Sequence, residues 1–137
     1  MIELNELTCI ADGIRYQARV NGECIAQIFE GRQTSYQALD HMASQVANGL
    51  ISAKCQPGSR IGYLGKNSDC FFEVMFGAIK ANVVITPVNW RLAAPEIEYI
   101  LNNAEVEVLF VGAELYDIVQ QIVPNLTTTN KYIAIDG

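Results

Sequence analysis

The sequence predicts an α/β fold, a partial, doubly wound, mostly parallel sheet with flanking helices, laid out as a single unit over residues 1–137. Three observations carry this expectation. Helix-like and strand-like segments alternate with short connections, the signature of right-handed β-α-β units. The run from Val83 to Thr86 has no polar alternation, as in parallel strands covered on both faces. Half of the residues are hydrophobic and 18% are charged, a composition that packs a core instead of remaining disordered. A chain of this length buries roughly two thirds of its unfolded surface, and no repeat, low-complexity tract or linker divides it.

Taken in order, Leu4 to Ala18 has mixed apolar spacing and reads as a helix, and Cys24 to Phe29 alternates as a short strand. Gly31 supplies a turn. Thr34 with Gln37 matches a capping box, and Leu39, Met42, Ala43, Val46, Ala47 and Leu50 form one face of the helix behind it. His41, Ser44, Gln45 and Asn48 occupy the opposite, polar face. Pro57-Gly58 ends the connection to a strand at Arg60 to Leu64, which runs into Gly65-Lys66-Asn67-Ser68.

Asn67 or Ser68 caps a helix in which Phe71, Phe72, Val74, Met75, Phe76, Ala78 and Ile79 are apolar almost all round, so it is expected to be largely buried. Asn82 tolerates the left-handed conformation that ends helices. After Val83 to Thr86 comes a turn containing Pro87, then a helix with Pro95 at its first position and Ile97, Ile100, Leu101 and Ala104 along it. Glu107 to Val111 is a strand, Ala113 to Ile122 a helix and Tyr132 to Ile135 a final strand.

Composition excludes several functions. A net charge of −6, with nine scattered Lys and Arg, gives no footprint for nucleic acid. The start, MIELNELTCIADG, lacks the basic and apolar regions of a secretory signal. No apolar run approaches the roughly 20 residues of a membrane span. These features imply a cytoplasmic chain. Cys9, Cys24, Cys55 and Cys70 contain no C-x-x-C pair and read as small buried hydrophobes kept reduced. The sequon at Asn125-Leu126-Thr127 is silent without export.

The chemical motifs fare no better. Gly62, Gly65 and Lys66 approach a phosphate loop, but Arg60 stands where its first glycine belongs and Asn67 follows the lysine, leaving an ordinary strand-to-helix turn. Thr127 to Lys131 has the hydroxyls of such a loop and no glycine, so it reads as a polar turn. His41 with Asp40 and Ser44 suggests a hydrolase triad, yet neighbouring helical residues do not face one another. Glu96, Glu98, Glu105 and Glu107 read as a helix start and an exposed edge, not as a metal site.

The ordered series carries more. AIKANVVITPVNWRLAAPEIEYILNNAEVEVLFV, from Ala78 to Val111, with TSYQALDHMASQVANGL and PGSRIGYLGKNS before it, resembles the adenylate-forming (AMP-binding) superfamily, which includes fatty-acyl-CoA synthetases. Asn82 stands where that family usually has glycine, and Ser59 where it has an acidic residue. The resemblance implies the front part of the large N-terminal domain of an acyl-CoA ligase that joins a fatty or related acid to ATP and passes the acyl group to CoA. Its phosphate loop, its adenine, ribose and hinge motifs and its adenylation lysine would lie beyond Gly137. ATP, Mg2+ and CoA are thus implied for the parent enzyme and none for this chain, which is expected to be inactive alone, with no catalytic, ATP-binding or metal residue.

In the family, the turn matching Val88 to Leu92 lies beside the CoA nucleotide, so the resemblance implies that Trp90 stacks there and Arg91 pairs a phosphate. The alternative is that Trp90 packs on the sheet and Arg91 ties down the turn. The partner loop, near Gly112 to Asp117, carries Glu114 and Asp117 and no Arg. The expected partner is the remainder of the ligase, with a homo-oligomer through an exposed sheet edge as a further expectation. A free-standing, non-catalytic α/β interaction module descended from the family is the other reading.

Overall fold

The structure, a computed structural model, describes residues 7–135. Its elements form two compact units, one from the residues up to Lys54 together with Ser68–Asn82, the other from Cys55–Asn67 together with the residues from Val83 onward.

The first unit contains α1 (Ile10–Val20), a hairpin of β1 (Ile25–Phe29) and β2 (Arg32–Ser35), α2 (Tyr36–Ser52) and α3 (Asp69–Lys80). The expected first helix is displaced toward the C-terminus, and Leu4 to Glu6 lie outside the described residues. Asp12 closes the start of α1 by accepting from the Thr8 and Cys9 N–H groups and from the Thr8 hydroxyl. Those bonds, Thr8's foremost, hold its carboxyl down to about 2. Thr34 does not cap α2 as expected. It is a buried residue of β2 paired with Gln27, and Ser35 is the cap, its Oγ accepting from the Ala38 N–H at 3.2 Å. The hairpin needs Glu30 (φ 49°) and Gly31 (φ 81°) in its turn, so the strand continues to the helix.

Helices α2 and α3 meet closely because Gly77 leaves room for Val46: a methyl at Gly77 would lie 2.6 Å from Val46 Cβ and 2.9 Å from the Ala43 carbonyl oxygen. Ser44 is not on the solvated face. Lys80 Nζ reaches across from α3 and donates to Ser44 Oγ, the Asp40 carbonyl and the Asp40 carboxylate, with its own side chain only 5% exposed. All three ammonium donors are satisfied, which burial of a lysine demands. At the other end of α3, the guanidinium of Arg32 makes a two-pronged contact with the buried Asp69 carboxylate, both bonds 3.0 Å. This holds the Asp69 carboxyl below its ordinary range, while burial raises that of Glu73. Nor is α3 buried all round. Val74, Gly77 and Ala78 are buried, but Phe72 is 44% exposed.

The second unit is a four-stranded parallel sheet of β3 (Arg60–Leu64), β4 (Val84–Val88), β5 (Val106–Gly112) and β6 (Lys131–Ile135), in the order β4-β3-β5-β6. Helices α4 (Ala94–Asn103) and α5 (Tyr116–Ile122) follow β4 and β5. Ile97 and Leu101 of α4 and Leu115, Val119 and Ile122 at α5 bury themselves with Leu64, Val88, Leu109 and Val111 of the sheet. Each such side chain contributes roughly 1.5–3 kcal/mol. Gly62 permits the packing, since a methyl there would lie 2.7 Å from Leu109 Cδ1. Ile61, Tyr63, Val108 and Phe110 are buried too, giving the central strands the unbroken apolar character of a parallel sheet.

The expectation of two covered faces fails for β4, which is an edge with Val84 50% exposed. Pro87 lies within that strand, not in the turn after it, as an edge allows. Pro95 is at the second helical position of α4, whose start is closed by Glu96 accepting from the Ala93 N–H at 2.9 Å. Ala113–Leu115 is a 3-10 turn leading into a short α5.

Candidate functional site

Parallel pairing brings strand ends to one edge. Leu64 is in register with both Val88 and Val111, so the loops after β3, β4 and β5 leave the sheet side by side, at the edge where open α/β sheets present ligand-binding residues. Lys66 and Trp90 each lie two residues past the Leu64–Val88 pair. Their side chains meet: Lys66 Nζ is 5.2 Å from the centre of the Trp90 ring, and Arg91 Cζ is 4.6 Å from it.

The turn is fixed locally. Asn89 Oδ1 accepts from the Arg91 N–H at 3.0 Å, and the Asn89 carbonyl accepts from the Leu92 N–H at 3.2 Å, a side-chain-closed turn typical of asparagine. Trp90 is half-buried against the apolar cluster, while Lys66 and Arg91 are exposed. Neither cation belongs to an ion pair among the described residues, whereas Arg15, Arg32, Arg60 and Lys80 do. An exposed cation–π contact is worth roughly 0.5–1 kcal/mol, less than the roughly 1.5–3 kcal/mol of a hydrogen bond to a charged group. Both cations are therefore free to exchange the indole for an anion.

Arg91 lies over the Trp90 ring and Trp90 packs against the apolar cluster, the arrangement expected of a structural turn. Lys66 also contacts the ring, although its sequence context predicts only an ordinary strand-to-helix turn. The loop after β5 is acidic: Glu114 folds over Gly112, where a methyl would lie 2.9 Å from Glu114 Oε2, and Asp117 is exposed.

Other candidates disperse. Thr127 donates through its N–H and hydroxyl to Asn102 Oδ1, and the Thr128 and Thr129 hydroxyls donate to the Val106 carbonyl, so that segment is a tied polar turn. His41 is exposed, and Asp40 and Ser44 are engaged by Lys80. Glu98 accepts from Asn125, Glu105 pairs with Arg60 and Glu107 accepts from Ser59, each apart from the others. The cysteines are not uniformly buried: Cys55 is, and burial raises its thiol pKa, but Cys9 and Cys24 are exposed. Their positions at a helix cap and ahead of a hairpin edge, outside any apolar stripe, account for this.

An apolar groove of about 320 Å³ runs beside β6, lined by Val111, Tyr116, Val119, Val123, Tyr132 and Ile133. Tyr132 and Ile133 are 41% and 39% exposed on this edge strand, and burial at the groove raises the Tyr132 pKa. No helix among the described residues is long and apolar enough to cross a membrane.

A family model described as "AMP-binding enzyme" matches residues 14–136. The fatty acid–[acyl-carrier-protein] ligase ScoC of Streptomyces coeruleorubidus is 38% identical over 97 residues, covering 71% of this chain and 19% of that protein. The 3-methylmercaptopropionyl-CoA ligase of Ruegeria pomeroyi is 32% identical over 130 residues, covering 90% of this chain and 24% of that protein. Among solved structures, the N-terminal domain of FACL13 from Mycobacterium tuberculosis superposes with a TM-score of 0.89 at 27% identity, over 95% of this chain and 34% of that one. The chain therefore spans no more than about a quarter of the length of these two sequence relatives.

Proposed function

The chain belongs to the AMP-binding enzyme family, and from that premise we propose that it is the N-terminal scaffold of an ATP-dependent acyl-CoA ligase. The parent enzyme activates a fatty or related carboxylic acid as an acyl-adenylate and transfers the acyl group to the CoA thiol. The observation that carries this reading is the family match over residues 14–136, supported by the likeness to a domain that is itself N-terminal. Adenylation needs charge stabilisation around a triphosphate, and the glycine-rich loop and adenylation lysine that the family resemblance implies for it would lie beyond Gly137, so in this reading ATP and Mg2+ act elsewhere in the parent. The scaffold is cytoplasmic in this reading.

The relatives are named for two acceptors, acyl-carrier protein and CoA. The exposed, unpaired Arg91 beside Trp90 favours CoA, which brings a phosphorylated nucleotide with its thiol. Acid-dependent ATP–pyrophosphate exchange tests the assignment. Residues 1–137 alone are expected to give none, and the full reading frame is expected to give exchange with fatty acids. Exchange by the purified chain alone, or a full frame inert toward every carboxylic acid tried, contradicts it.

A second reading, a non-catalytic α/β interaction module, is favoured by the exposed β6 edge and its apolar groove. Such an edge offers unpaired backbone groups and invites association with another copy.

A further inference from the structure

We propose that Lys66 is a second phosphate-binding residue of the Trp90–Arg91 turn, receiving the ionised phosphates of the CoA nucleotide. The inference rests on the acyl-CoA ligase reading and extends it to a residue from a different loop. Its basis is the sheet register: because Leu64 pairs with Val88, residues two positions beyond each strand end stand at the same level, and the Lys66 ammonium arrives 5.2 Å from the Trp90 ring without long-range design.

Four features make the arrangement fit a phosphorylated ligand. The chain carries a net charge of −6, yet here two exposed cations, Lys66 and Arg91, stand beside one aromatic ring and outside every ion pair of the described residues. Trp90 packs against the apolar cluster, so the ring that both cations contact is held by the core. The ammonium brings three rotatable donors and the guanidinium a planar fork, which suits two phosphates of different orientation. The acidic loop bearing Glu114 and Asp117 disfavours an anion on that side and leaves the Lys66–Arg91 side as the place for it.

The chain contains a single tryptophan, so its fluorescence reports this site directly. Titration with CoA is expected to change Trp90 emission saturably. Lys66→Gln is expected to weaken CoA about tenfold, equivalent to ~1.4 kcal/mol, with a melting temperature within about 4 °C of the wild type, while Lys66→Arg stays within about threefold of the wild type. Wild-type affinity in Lys66→Gln alongside weakened binding in Arg91→Ala overturns the role of Lys66 and leaves the CoA-facing turn standing. Absence of any response to CoA in the wild type overturns both. A saturable response to holo-acyl-carrier protein with none to CoA reassigns the turn to a protein acceptor and also overturns the proposal.

Discussion

Replacing Gly77 with alanine pits two effects of known size against each other. In a helix interior alanine is favoured over glycine by roughly 0.8–1 kcal/mol, so on propensity alone Gly77→Ala in α3 stabilises. The new methyl, however, would lie 2.6 Å from both Cβ and Cγ1 of Val46 and 2.9 Å from the Ala43 carbonyl oxygen. Neither the Cβ of a branched side chain nor a helical carbonyl rotates away, so α2 and α3 must separate. Overpacking of this kind costs typically 1–3 kcal/mol, and three contacts this short place it at the upper end. The net loss is about 2 kcal/mol, a fall in melting temperature of roughly 4–8 °C for a chain of this size.

Gly49, inside α2, is the matched control, because a methyl there meets nothing within 4 Å. Gly49→Ala is expected to gain about 0.5–1 kcal/mol. Urea unfolding of both variants, read by circular dichroism, gives the two signs side by side. Equal stabilisation by both substitutions would refute the close approach of α2 and α3.

Lys80→Met leaves Asp40 uncompensated and is expected to cost about 2 kcal/mol, less than the 3–5 of a fully buried pair because Asp40 is 25% exposed; recovery in Lys80→Met/Asp40→Leu, measured as a double-mutant cycle, checks that the loss is electrostatic. The Asp69 carboxyl is lowered chiefly by its hydrogen bond to Arg32, so its stabilising contribution is present above the unfolded carboxylate value of about 3.9 and is lost as pH falls through the lower folded value. Acid unfolding curves should show that loss in the wild type and a flatter dependence in Arg32→Met. Sedimentation should find the chain associated through its β6 edge, with Ile133→Lys shifting it to monomer; an unchanged profile would remove that edge from the interface.

Much of the architecture was legible because periodicity and punctuation agree. Arg60 to Leu64 is a strand with the expected bounds, and Asn82 adopts the left-handed conformation (φ 57°) its position after α3 predicts. What escaped were features set by neighbours in space. Thr34 looked like a cap because strand β2 is only four residues long and polar on its exposed positions. Ser44 looked solvated because the lysine that claims it is 36 residues away. Nothing in Val83 to Thr86 distinguishes a central strand from an edge, since that depends on which strand pairs last; Pro87 was the available signal. At the turn after β4, the family resemblance singles out Trp90 and Arg91, whereas the contact of Lys66 with the same ring depends on β3 and β4 being parallel neighbours in register, which the sequence does not display.

The most direct test of the account reads the encoding gene beyond the Gly137 codon. The scaffold assignment predicts a continuing frame that reaches a Ser/Thr/Gly-rich segment followed by Pro-Lys-Gly, the phosphate loop the resemblance implies. A stop codon directly after Gly137 would contradict it and leave the non-catalytic module as the reading of this chain.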